Sequence, residues 1–239
     1  LPIPTMDPLT PLRKLMRIRT CTFKIQPVHP DTVDYIIKEL KNSKSSGLDN
    51  IDTYIIKLSK PEIQPALTHI VNLSIQQCIF PDTCKFSKVI PLHKKDDKLL
   101  PKNYRPVALL PVMSKILEKA VFLQMISYLE GNGLLHPSHH GFRSNHDCCT
   151  ALLQMYDSWI EAFEEKKLTA VLLVDLSAAF DVVDTNILLE KLKLYGFQEC
   201  AIKWMTSYLT NRCQRVYLSL IHISEPTRPL YISYAVFCL

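Results

Sequence analysis

Two carboxylates, Asp175 and Asp181, set the chemical question in this sequence. In TAVLLVDLSAAFDVVD, from Thr169 to Asp184, an apolar run from Ala170 to Val174 ends on Asp175. Small residues follow, Ser177, Ala178 and Ala179, and then Phe180 and Asp181. An acid at the end of a buried strand has three uses. It caps the next helix, acts as a general base, or holds a divalent cation, which prefers hard oxygen ligands. The small residues leave space beside Asp175, and Phe180 supplies a wall. That arrangement suits a pocket with a metal at one end and an aromatic surface at the other.

Two other constellations compete. His136, His139, His140, His146, Cys148 and Cys149 crowd into one stretch. His136-x-x-His139 and adjacent cysteines do not match a usual zinc spacing, so zinc is the weaker reading. Asp96-Asp97 resembles a catalytic acid pair, but it lies among lysines with no apolar strand before it, as a solvated turn would. With only five Gly in the chain, no G-x-G-x-x-G or P-loop nucleotide site exists.

The elements that would position Asp175 follow from periodicity. Residues 1–30, with six prolines, read as a linker or arm. Asp31 is placed to cap a first helix whose Val33, Ile36, Ile37 and Leu40 share a face. A helix over Glu62 to Cys78 carries Ile63, Leu67, Ile70, Val71 and Ile75, with Pro65 in its first turn. FSKVIPLHKK reads as a strand entering a basic turn, and KKDDKLLPKNYRP as a loop. A helix over 112–130 has Ile116, Leu117, Ala120 and Val121 apolar, with Lys115, Glu118 and Lys119 polar. Further helices are expected over 149–165, over Asn186 to Tyr195 with Gly196 at its C′ position, and over Gln198 to Leu209. In RCQRVYLSL the alternation turns Val216, Leu218 and Leu220 inward. Many helices and few, separated strands predict an α+β fold with a small antiparallel sheet.

The bulk properties are permissive. The chain has 239 residues, 47% of them hydrophobic, enough for one or two domains with a core. The net charge is +5, yet the segment from Lys85 to Lys119 alone holds nine Lys/Arg against three acids. A nucleic-acid face and a solvated rim both fit that charge. Eight cysteines with no C-x-x-C pair read as reduced intracellular thiols. No signal-like start is seen, and no apolar run approaches the roughly 18 residues of a membrane span.

LLVDLSAAFDVVD resembles the first catalytic motif of reverse transcriptases of non-LTR retrotransposons, the LINE and jockey-like class. The flanks resemble the same family in order: KFSKVIPLHKKDDK and NYRPVALLPVMSKILEK, two fingers blocks, then HHGFR, and after the motif ILLEKLKLYGF…WMTSYLTNRCQRV. The resemblance covers roughly Phe23 to Leu220, about four-fifths of the chain. It implies a right-hand polymerase: fingers over 31–165, preceded by the 1–30 arm, and a partial palm over 166–220. Asp175 then matches the metal-binding aspartate, and the backbone carbonyl of Leu176 a second oxygen ligand. Phe180 matches the gate that packs under the sugar and clashes with a ribose 2′-OH. Asp181 is given a structural part, bonding nearby backbone. Arg105 and Lys115 match triphosphate contacts, for which a bidentate fork and a point charge are suited. Lys94 and Lys95 are assigned to nucleic acid or solvent. Arg143 either touches nucleic acid or braces the fingers. The implied reaction is dNTP transfer to a primer 3′-OH on an RNA template, with two Mg²⁺ ions. It further implies a ribonucleoprotein in nucleus or cytoplasm, without membrane.

The pattern then breaks. The family's aromatic-Ala-Asp-Asp hairpin and its Gly- and Gln-containing loop are absent from the sequence, which predicts an inactive chain cut from an active parent. The stretch 221–239 resembles the conceptual translation of a sequencing adaptor, with a divergent or frameshifted end as the alternative. A non-catalytic nucleic-acid-binding remnant of a decayed element is the second function the sequence supports. The isolated chain is also expected to be marginally stable, with an unpaired strand edge near Arg215 to Leu220.

Overall fold

The structure is a computed structural model and describes residues 7, 9, 10, 13, 21–176 and 179–218. Ser177, Ala178 and the stretch 219–239, including the expected adaptor-like tail, lie outside the described residues.

Seven α-helices occur among the described residues: α1 Pro30–Glu39, α2 Thr53–Leu58, α3 Lys60–Gln77, α4 Val112–Gly131, α5 Cys148–Glu164, α6 Thr185–Leu194 and α7 Glu199–Leu209. Their starts follow local chemistry. His29, not Asp31, caps α1, its side chain accepting from the Asp31 amide. Asp31 instead sits in the first turn, where an acid favours the helix dipole. Asp52 caps the short α2, which the loop-like composition before it concealed. Asp147 and Thr150 form a capping box at α5. At the other end, Gly196 follows α6 with φ +88°, as expected of a C′ glycine. Helix α3 starts earlier than its apolar stripe suggests, so Pro65 lies inside it rather than in its first turn.

Three strands, β1 Phe86–His93, β2 Tyr104–Leu109 and β3 Cys213–Val216, form one sheet in the order β2-β1-β3. β1 and β2 are antiparallel, with Leu92 opposite Arg105, whereas β1 and β3 run parallel, with Val89 opposite Val216. The sheet is therefore mixed, not antiparallel as expected. The hairpin β1–β2 pairs by local closure; β3 arrives after four intervening helices and can join β1 in parallel. β2 begins inside the stretch expected to be loop. β3 is exposed along its whole length, and Val216 and Leu218 do not turn into a core. As an end strand it leaves one edge unpaired among the described residues, in the region where an open edge was expected.

The core lies among the helices. Val33, Ile36, Ile37, Val71, Ile75, Ile116, Leu117, Ala120, Val121, Leu192, Trp204 and Met205 are buried in one cluster. Each large apolar side chain fully buried there contributes about 1.5–3 kcal/mol. Ile70, expected on the α3 stripe, is exposed. The end of the proline-rich arm joins this core: Phe23 stacks obliquely on Phe197 at 4.5 Å and forms a bridge with it. Trp204 Nε1 donates to Ser74 Oγ at 3.0 Å, which satisfies the indole inside the cluster. Cys78 and Cys200 form a disulfide that ties α3 to α7, where reduced thiols were expected.

Two apolar surfaces stay uncovered among the described residues. α5 buries no residue, and its Leu152, Leu153, Tyr156 and Phe163 are exposed. The run from Val171 to Val174 is exposed as well.

Candidate functional site

The segment carrying Asp175 joins no sheet among the described residues. Residues 167–176 belong to no strand, and Leu172 is 87% and Leu173 85% exposed. The strand expected to end on Asp175 is not formed. Its apolar residues have the right composition for one, but no neighbour among the described residues offers backbone partners. Asp175 is exposed, and Asp184 caps the following helix, accepting from the amides of Asn186 at 2.8 Å and Ile187 at 3.1 Å. Asp181 is exposed in a turn.

Phe180 is brought against the HHGFR block. Its ring meets Phe142 edge-on, with centroids 6.4 Å apart. Phe142 has φ +57°, in the left-handed region that non-glycine residues seldom occupy. Sequence reasoning passed over Phe142; its signal was its place beside Arg143. That arginine, left open between two parts, makes contacts within the fold. Its Nε donates to Glu130 Oε1 at 3.2 Å and its Nη1 to the His139 carbonyl at 3.2 Å.

The basic residues divide. Lys94 and Lys95 are exposed at the tip of the β1–β2 hairpin, which the Lys94 amide closes onto the Asn103 carbonyl at 2.8 Å. Arg105 is exposed on β2, and Lys115 is half-buried in the first turn of α4. Lys85 leaves this face altogether: it is buried, with Nζ 2.8 Å from Asp82 Oδ1. Asp96 and Asp97 stand exposed in the hairpin turn, as a solvated turn requires. No hydrogen bond or ion pair among the described residues joins Asp175 to Arg105 or Lys115.

A pair of divalent cations needs at least two carboxylates that reach the same ions. No group of three or more His, Cys, Asp or Glu among the described residues is placed to hold a metal. Asp175 and the Leu176 carbonyl alone do not complete such a site. The crowded histidines have another use: His140 Nδ1 pairs with Thr150 Oγ1 at 3.0 Å and Nε2 with Gln154 Oε1 at 2.7 Å, fastening the loop to α5.

The chain belongs to the reverse transcriptase (RNA-dependent DNA polymerase) family, whose model matches residues 92–231. That match extends past Leu220 into the stretch expected to be unrelated. The chain is 28% identical over 160 residues to a probable RNA-directed DNA polymerase from transposon X-element of Drosophila melanogaster, covering 66% of this chain and 18% of that protein. It is 26% identical over 191 residues to the probable polymerase from transposon BS of the same fly, covering 79% and 20%. It is 28% identical over 158 residues to the RNA-directed DNA polymerase from mobile element jockey of Drosophila funebris, covering 66% and 17%. The chain thus spans about a fifth of the length of these relatives. No helix among the described residues is long and apolar enough to cross a membrane.

Proposed function

We propose that this chain is the fingers and part of the palm of an RNA-directed DNA polymerase from a non-LTR retrotransposon. In the longer protein, a primer 3′-OH attacks the α-phosphate of a dNTP on an RNA template. The observation that carries the reading is the family match over residues 92–231, which spans the hairpin tip, β2, α4 and the Asp175 motif together. Asp175 supplies one carboxylate of a Mg²⁺ site, with the Leu176 carbonyl beside it; further acids must come from residues outside those described. Arg105 and Lys115 offset triphosphate charge, and Lys94 and Lys95 follow the nucleic-acid backbone. Phe180 bears on the sugar. The protein works as an intracellular ribonucleoprotein.

Incorporation of dNTP on a primed RNA template, by a protein of relative length that contains these residues, tests the reading. Asp175→Ala is expected to slow it on the order of a thousandfold, about 4 kcal/mol of barrier. An unchanged rate would remove Asp175 from the chemistry.

The second reading, a nucleic-acid-binding remnant without catalysis, draws on the exposed, unpaired state of the Asp175 segment. It keeps the hairpin's role and drops that of Asp175.

A further inference from the structure

The end of the arm ahead of α1 is held by its backbone. Phe23, Ile25 and Val28 are buried, while Lys24, Gln26 and Pro27 between them are exposed. Residues 23–28 take no part in the three-stranded sheet. Their backbone groups are met instead by three separate elements.

The Phe23 amide donates to the Gly196 carbonyl at 2.8 Å, and the Phe23 carbonyl accepts from the Gln198 amide at 2.9 Å. The Gln26 amide donates to Gln124 Oε1 at 2.8 Å, and the Gln26 carbonyl accepts from Gln124 Nε2 at 2.9 Å. The Val28 amide donates to Asn72 Oδ1 at 2.7 Å, and the Val28 carbonyl accepts from Asn72 Nδ2 at 3.0 Å. A carboxamide carries a donor and an acceptor side by side, so Gln124 and Asn72 each imitate the edge of a neighbouring strand. Asn72 stands on α3, Gln124 on α4, and residues 196–198 form the turn between α6 and α7. The Phe23 ring meets two of these elements, with its centroid 5.1 Å from that of Tyr128 on α4 and 4.5 Å from that of Phe197 in the turn. Near the two carboxamides the packing is open: a groove of about 380 Å³ lies beside Gln26 and Pro27, against Leu123 and Gln124.

We propose that residues 23–28 are a strap that docks and releases as one unit, coupling α3 and α4 to the turn between α6 and α7. Asn72 and Gln124 are its positioning residues. They read backbone, so they hold the strap whatever side chains it carries at its exposed positions. Release of either carboxamide pair loosens the hold of Phe23 on Gly196 and Gln198. The frame survives release, because the Cys78–Cys200 bridge and the Trp204–Ser74 bond keep α7 on α3. The strap does not depend on the polymerase reading, since all its anchors are described residues of this chain.

Amide hydrogen exchange followed by NMR tests it. In Gln124→Leu, exchange at Phe23, Val28 and Gln198, whose own partners are untouched, should rise together by about tenfold, as the loss of two hydrogen bonds requires. Exchange at Val121 and Trp204 in the core should stay unchanged. In Gln26→Ala, which keeps both backbone bonds, no rate should move. A rise confined to Gln26, or an equal rise at Val121 and Trp204, would overturn the strap. The unaltered 239-residue chain gives a second measurement that needs no variant. In low urea the Phe23, Gln26, Val28 and Gln198 amides should share one opening equilibrium, reached before that of Val121 and Trp204. Separate openings at the four amides, or opening only together with the core, would equally overturn it.

Discussion

The rings of Phe142 and Phe180 meet edge-on, 6.4 Å between centroids and 83° between planes. This contact joins the HHGFR loop to the turn after Asp175, two blocks separated in sequence by the whole of α5. Both rings are about half exposed, so the pair acts on position more than on stability. Phe142 also holds a left-handed backbone, at φ +57°. Phe142→Gly should therefore be more stable than Phe142→Ala by about 1 kcal/mol, because only glycine takes that conformation freely. Urea unfolding of the two variants gives the difference; equal stabilities would show that the backbone there relaxes.

Gly196 combines a positive φ with a close approach. A Cβ added there would lie 2.1 Å from the Cys21 carbonyl oxygen, a backbone atom that cannot swing aside. The Phe23 amide bonds to the Gly196 carbonyl at 2.8 Å at the same place. Gly196→Ala should detach the Phe23–Phe197 bridge and lower stability by more than the roughly 1 kcal/mol of the backbone conformation alone. Amide exchange at Phe23 should rise with it, and unchanged protection would contradict the prediction.

The Cys78–Cys200 bridge closes a loop with a sequence separation of 122. In the chain-entropy account such a loop stabilises by up to about 5 kcal/mol. Reduction should lower the melting temperature of the chain and leave Cys78→Ser/Cys200→Ser unaffected. The helices it joins are also held by Trp204 on Ser74, so the reduced chain should stay folded in the cold. Equal melting with and without reductant would show that the bridge adds nothing.

Burial raises the Glu118 carboxyl above its ordinary value. The folded state then holds this proton more tightly than the unfolded chain does. Its contribution to stability is present in full below the ordinary carboxylate range and is lost as pH rises toward the folded value. Glu118→Gln should remove that loss, so its advantage over the parent should grow from about pH 4 to neutrality in urea unfolding. A constant difference across that range would contradict the sign.

Much of the helical frame was legible from apolar spacing, as in α1, and from the C′ glycine at Gly196, although His29 takes the capping part expected of Asp31. Burial of a polar group was not: spacing assigns Glu118 to solvent, yet it is internal, bonded by Ser114 where α4 packs against the turn at Cys84. β2 hid behind Pro106 and a polar, basic flank. The direction of β3 was not legible either, since pairing with β1 depends on partners 126 residues apart, such as Ser87 Oγ and the Cys213 carbonyl. Asp175 was visible as chemistry, but its strand was not secure. A run like Ala170 to Val174 becomes a strand only beside a partner, and composition cannot supply one.

The central claim is that Asp175 is one part of a metal-nucleotide site that these residues do not complete. The most direct measurement is dNTP incorporation by the 239-residue chain on a primed RNA template with Mg²⁺, with folding confirmed by circular dichroism. The account predicts no incorporation above background. Incorporation that Asp175→Ala abolishes would contradict it, because the chain would then hold a complete site.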